Sequence, residues 1–255
     1  MVITQNIRQM TIPLICLSYN QPSYLKMLIN HWQYYHNDIE KYPIIIFDNG
    51  STSPELLQLL RYYSARTEIK VVWYDQNNFI PNLKDFIANY ITGKYEYYVL
   101  SDCDILPHPA TPWNYLDVFR HLIDSGYHRA GFGLISDNLP DTLHFGANIA
   151  HDERQLLSHP VSIDYNGKTY SGYKAPIDTT FCMYSTKNSG WSAPMGGSDW
   201  GNCARIFEAF HMPWYIDGEH MTPEMDFYFT SAKYRVPGTP SAGANNSRPK
   251  QYINE

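Results

Sequence analysis

The tetrapeptide Ser101-Asp102-Cys103-Asp104 sets two carboxylates one residue apart, directly after the apolar run at 95–100 (YEYYVL). At the end of a buried strand such a pair makes a hard, oxygen-rich, doubly negative site. Its natural occupant is a hard divalent cation, Mn²⁺ or Mg²⁺. An ion held there would bridge two oxygens of a diphosphate and neutralise the charge that develops as it departs. A D-x-D tripeptide also arises by chance, and then caps a helix or closes an Asx turn. What favours the metal here is context: a strand-like run before the motif and the apolar Ile105-Leu106-Pro107 after it. Three other polar clusters follow apolar runs in the same way: Ser18, Tyr19 and Asn20; Asp48, Asn49, Gly50 and Ser51; and Asp75 through to Asn78. In open α/β sheets ligands lie beyond the carboxyl ends of the parallel strands, so these four clusters are the candidate site.

The elements that must position them read as repeated strand, turn and helix. Residues 12–18 (IPLICLS) are a nearly continuous apolar run of strand length, as expected of a strand buried on both faces. A helix follows over 23–35, with Tyr24, Leu25, Leu28, Ile29, Trp32 and Tyr35 at helical spacing and Ser23 as its expected N-cap. The unit recurs as a strand at 42–47 and a helix from Pro54 to about residue 63, then as a strand at 69–74 and a helix at about 83–90. A fourth strand at 95–100 leads into the acidic motif. This alternation predicts an α/β fold with a mostly parallel, doubly wound sheet. The second half is less regular, with a helix expected near 113–123, strands near 128–134, 168–173 and 179–184, and a helix over 199–210. Beyond residue 234 the chain is rich in Pro, Gly, Ser and Asn and reads as a tail. One domain over residues 1–236 is expected, with the irregular tail at 237–255.

Composition narrows the class. With 255 residues, 44% of them hydrophobic, the chain is long enough for one substantial core. The formal charge of −6 is spread without basic blocks, which argues against nucleic acid as a partner. Cys16, Cys103, Cys182 and Cys203 show no CxxC spacing, which fits a reducing, cytoplasmic setting. The first ten residues are too polar for a signal peptide, and no apolar run approaches the roughly 20 residues of a membrane span, so a soluble chain is expected. The 22 Tyr, 11 Phe and 6 Trp suit sugar stacking as well as ordinary packing.

The runs PLICLSYNQPSYLKMLINHW, IIIFDNGST and YYVLSDCDILP, in this order and spacing, resemble the donor-binding half of family 2 and related glycosyltransferases of the GT-A type. The resemblance covers about residues 11–110, leaving 111–236 as the acceptor half. It implies a nucleotide-diphosphate sugar as donor, a UDP-sugar first, and a hydroxyl acceptor on a glycan, glycolipid or glycoprotein. By the same resemblance Ser18, Tyr19, Asn20 and Asp48 would meet the base and ribose. Asp104 would be the direct metal ligand, while Asp102, and Cys103 beside it, would lie against the ribose or a metal-bound water. Asn78 and Lys84 fall where the nucleotide would pass, although NNFIPNLKDFIANY departs from the small-residue pattern common in that helix. Such enzymes often add a C-terminal histidine to the metal or diphosphate, and His211, before Met-Pro-Trp-Tyr, is the candidate.

Inverting transfer needs a base that deprotonates the acceptor hydroxyl. Asp178, between API and TTFCMY, is the first candidate because an apolar setting raises a carboxyl pKa; Asp199, in MGGSDWG, is the second. Trp191, Trp200 and Trp214 are candidate sugar platforms. Two alternatives stay open at this point: a sugar-nucleotide nucleotidyltransferase, which would be expected to carry a Gly-rich basic loop where this chain has SYNQP, and an inactive carbohydrate-binding derivative of the fold.

Overall fold

The computed structural model describes residues 10–137, 139, 153–157, 159–177, 181–187, 202–216 and 222–231. The first half runs β1 (Leu14–Ser18), α1 (Pro22–Tyr35), β2 (Ile44–Asp48), α2 (Pro54–Ser64), β3 (Ile69–Trp73), α3 (Phe79–Phe86) and β4 (Tyr97–Asp102). The second half continues through β5 (Ile105–Pro107), α4 (Tyr115–Asp124), β6 (Arg129–Leu134), β7 (Pro160–Tyr165), β8 (Lys168–Lys174), β9 (Cys182–Ser185), β10 (Cys203–His211) and α5 (Pro223–Ser231). All ten strands of the described residues join one sheet, in the order β3-β2-β1-β4-β9-β6-β10-β8-β7, with β5 paired on β10. β1 to β4, β6, β7 and β10 run one way, and β5, β8 and β9 run against them. The expected mostly parallel α/β sheet is the observed one.

The continuous apolar run of β1 has its reason in cover on both faces. Leu14 and Cys16 pack with Leu25, Leu28, Ile29 and Trp32 of α1 and with α2 and α4, whereas Ile15 and Leu17 pack with Leu83 and Phe86 of α3 on the other side. α3 starts four residues earlier than its spacing predicts and passes into a π-helical turn at Ile87–Ile91. α1 begins with Pro22 at its first turn and Gln21 before it, not with a Ser23 cap; the Ser23 amide instead donates to the Glu224 carboxylate at 3.0 Å. That places a negative charge from α5 at the positive end of α1.

The helix expected over 199–210 is overturned from Cys203 onward. That segment is β10, held by β6 in parallel and by β5 and β8 in antiparallel. Ala, Arg and Glu favour helix by only tenths of a kcal/mol each, and a buried place between pairing strands outweighs that preference. β7, β5 and α5 are elements that the periodicity does not predict.

One packing detail sets a pH dependence. His36 is buried against Tyr42 and Tyr115, and its Nε2, like the Tyr115 hydroxyl, meets no hydrogen-bond partner among the described residues. Burial first, then nearby His31 and Lys41, lowers the His36 pKa to about 3. A folded-state value depressed below the unfolded one gives stability that is complete above the unfolded pKa, 6.5, and is lost as the pH falls. Acidifying from pH 7.5 to 5 should therefore cost about 2 kcal/mol through His36. Thermal melts of the wild type and His36→Phe at both pH values check this, and an unchanged acid-induced drop in Tm in the variant would refute it.

Candidate functional site

β1 and β4 lie side by side in parallel with Leu17 opposite Asp102, so the chain leaves both strands at the same edge. The Cys103 amide donates to the Leu17 carbonyl at 3.1 Å, carrying the ladder one residue further. The chain then turns back and β5 pairs with the end of β10, Ile105 opposite His211, while the Met212 amide donates to the Asp104 carbonyl at 2.9 Å. This pairing closes a sequence separation of more than one hundred residues. His211 Nε2 stands 3.8 Å from Asp104 Oδ1, both side chains are buried, and the Trp214 ring packs against the imidazole at 4.8 Å.

Asp104 Oδ2 accepts from Gln21 Nε2 at 3.3 Å, while Oδ1 is buried and accepts no hydrogen bond among the described residues. A buried anionic oxygen in that state is costly unless a positive charge meets it. A hard divalent cation or a protonated imidazole satisfies the condition, so Asp104 and His211 fit two ligands of such an ion. Asp102 lies two residues before, at the end of β4 and only partly buried. Among the described residues no three His, Cys, Asp or Glu side chains gather into a complete metal cage. The Cys103 thiol is buried in the core and donates to Gln21 Oε1 at 3.3 Å. Burial first, then the Asp104 carboxylate, pushes that thiol far up, so it stays protonated.

The loops after β1 and β2 are tied together and to α5. The Asn20 Oδ1 accepts from the Thr52 and Ser53 amides at 2.7 and 2.9 Å, while its Nδ2 donates to the Ser231 hydroxyl at 2.8 Å. Tyr19 donates to the Ser231 carbonyl at 2.8 Å, and Ser18 Oγ is buried without a partner among the described residues. Asp48 is buried and accepts from both the Ser51 hydroxyl and the Ser51 amide. Burial raises its pKa, and the bonds from Ser51 and Gly50 oppose the rise. Asp48 thus holds the turn, and Gly50 is required in it, because φ is +76° and an added Cβ would lie 2.5 Å from the Gln76 carbonyl carbon.

Sequence reasoning missed several of these groups. Gln21 bridges Asp104 and Cys103, Asn82 donates to the Asn49 side chain at 2.8 Å, and α5 packs Met225 and Tyr228 toward the acidic motif. A Gln directly before a helix-opening Pro was the only local signal. Asn78 and Lys84 are both exposed, at the N-terminus and along α3. Trp214 is core. Asp178, Asp199, Trp191 and Trp200 lie outside the described residues.

A second concavity of about 480 Å³ opens beside the end of β6 and is lined by residues of β6, β8 and β10. At its floor Arg205 is buried, with Nη1 2.7 Å from Glu153 Oε2 and Nε donating to the Pro176 carbonyl. A β-bulge between Arg205 and Phe207 turns β10 at this point, as bulges near functional sites do. Gly172 lets β8 approach, since a Cβ there would fall 2.0 Å from the Arg205 carbonyl oxygen.

No protein-family model and no curated protein sequence matches the chain. Among solved structures, the mannosyltransferase PcManGT from Pyrobaculum calidifontis, in complex with GDP-Man and Mn²⁺, is similar at TM-score 0.53 and 11% identity, over 88% of this chain and 65% of that one. S. aureus TarS 1-349 is similar at TM-score 0.46 and 13% identity, over 80% of this chain and 61% of that one. The same protein in complex with UDP-GlcNAc gives TM-score 0.48 and 14% identity, over 88% and 68%. This chain spans less than two thirds of the length of the mannosyltransferase and of the first TarS structure. Among the described residues no helix is long and apolar enough to cross a membrane. The sheet order, the helices on both faces and the likeness to the mannosyltransferase together give this chain a GT-A-like glycosyltransferase fold.

Proposed function

We propose that the protein is a metal-dependent glycosyltransferase that moves a sugar from a nucleotide-diphosphate sugar, a UDP-sugar first, to a hydroxyl on a glycan, lipid or protein acceptor, with inversion. The observation that carries this reading is the meeting of Asp104 and His211, 3.8 Å apart and buried, at the carboxyl end of β4 in this fold. Asp104, His211 and Asp102 would hold Mn²⁺ or Mg²⁺, which when bound supplies charge neutralisation to the departing diphosphate. The loops carrying Ser18, Tyr19, Asn20 and Asp48 would shape the base and ribose pocket. Asn20 and Asp48 do so by fixing backbone turns, since their polar atoms are already bonded within the protein. Gln21 orients the Asp104 carboxylate, a role in which outer partners of metal ligands commonly matter. Asp178, with Asp199 second, would take the proton from the acceptor hydroxyl.

A ligand that binds only the folded state raises Tm, by about 2.7 kcal/mol of stability at one hundred times its Kd. Thermal melts with UDP-, GDP- and dTDP-sugars, each with and without Mn²⁺, are expected to show a metal-dependent rise of several degrees for a UDP-sugar. No shift with any nucleotide sugar would defeat the reading, and a rise with a GDP-sugar alone would change the donor base.

A further inference from the structure

The Gln21 carboxamide is engaged at both ends by buried partners. Its Oε1 accepts from the Cys103 thiol at 3.3 Å, and its Nε2 lies 3.3 Å from Asp104 Oδ2 and 3.8 Å from Met225 Sδ. Gln21, Cys103, Asp104 and Met225 are 4%, 3%, 7% and 1% exposed. A carboxylate and a thioether only accept, whereas the thiol donates from the opposite end, so one orientation of the amide serves all three. A flipped amide would set its oxygen against the carboxylate.

Met225 brings α5 into this arrangement, as the buried residue among the described side chains of a helix with no clear apolar stripe. The rest of α5 is tied to the same loop. Ser231 is held by Tyr19 and Asn20, Glu224 accepts from the Ser23 amide, and the Tyr228 ring meets Tyr19 edge-on at 6.2 Å. All of these partners lie within residues 19–23, around Gln21. Resting on the metal-dependent reading above, we propose that Met225 is a positioning residue for the metal ligand Asp104. Met225 confines the Gln21 amide and the amide fixes the carboxylate, so metal-dependent nucleotide binding and the seating of α5 favour each other by the same factor. An outer partner of a metal ligand is worth about 10- to 100-fold in metal affinity, and Met225 stands one contact further out, so its effect should lie at the lower end, about ten-fold.

Calorimetry of UDP with and without Mn²⁺ on the full chain gives the factor by which metal raises nucleotide affinity. That factor should fall about ten-fold in Met225→Ala, while affinity for UDP without metal stays as in the wild type. Met225→Leu keeps the volume and loses only a weak acceptor, so it should retain the factor within about two-fold. Met225→Ala added to Gln21→Ala should cause little further loss, because both act on one carboxylate. Hydrogen exchange at the α5 amides of the wild type should slow several-fold more than at β3 when UDP and Mn²⁺ are added, and this excess should vanish in Gln21→Ala. Circular dichroism establishes that each variant is folded. An unchanged metal factor in folded Met225→Ala, a full additional loss in the double variant, or equal slowing in α5 and β3 would overturn the positioning role and leave the transferase reading standing. No metal-dependent UDP binding in the wild type would overturn the metal reading and this inference with it.

Discussion

Asp104→Ala is expected to remove metal-dependent nucleotide binding while leaving the fold intact. Asp104 is a buried carboxylate with one oxygen turned to Gln21 and the other accepting no hydrogen bond among the described residues, 3.8 Å from His211. Removing an outer partner of a metal ligand typically costs 10- to 100-fold in affinity, so removing the ligand itself should cost at least about 100-fold. Loss of the side chain also leaves Gln21 Nε2 without its carboxylate, a penalty of about 1–3 kcal/mol that the variant can bear. The measurement is calorimetry of UDP with Mn²⁺ on wild type, Asp104→Ala and His211→Ala, with circular dichroism to establish that each is folded. Metal-dependent affinity within a few-fold of wild type in folded Asp104→Ala would remove the metal assignment, and a loss in Asp104→Ala without one in His211→Ala would remove His211 from it.

Asp178→Asn is expected to lower kcat by about 10²- to 10⁴-fold with little change in donor affinity, because a general base stabilises the transition state and not the bound donor. The expectation rests on sequence alone: Asp178 is the second-half acid with the most apolar neighbours, which would raise its pKa toward a value useful near neutrality. Asparagine keeps the shape and cannot take the proton. Steady-state transfer kinetics beside donor calorimetry, for Asp178→Asn and Asp199→Asn in parallel, decide between them. Near wild-type turnover in Asp178→Asn with collapse in Asp199→Asn would shift the base to Asp199, whereas weakened donor binding in Asp178→Asn would make it a ligand of the donor sugar.

The first half of the chain was legible because its physics is local. β1, β2 and β4 are buried on both faces, so their sequences are unbroken apolar runs, and Pro54 marks the start of α2. The second half was not, since β10 owes its conformation to three pairing strands and its residues favour helix when read alone. The same limit applies to the site. Spacing found the two acids, but the approach of His211 follows from β5 pairing on β10. The work done by Gln21 and Asn49 depends on loops that only the sheet brings together. α5, in turn, offers no clear apolar stripe, so periodicity passes over it even though Met225 is buried.

The bonds from α5 to the start of the chain have a kinetic consequence. Tyr19 and Asn20 meet Ser231 across sequence separations of 212 and 211, and Ser23 meets Glu224 across 201. Contacts of such range are favourable only after intervening chain has been ordered, because the entropy of closing the loop must be met first. The core of β1, β2, β3 and β4, whose neighbours in sequence supply its helices, can form ahead of them. Docking of α5 is then a late event in folding and an early one in unfolding, with its own small free energy of local opening. The edge of the sheet where the acidic motif lies is thus completed by the last part of the described chain to arrive, and mild denaturant should release it while the strands beneath keep their amide protection.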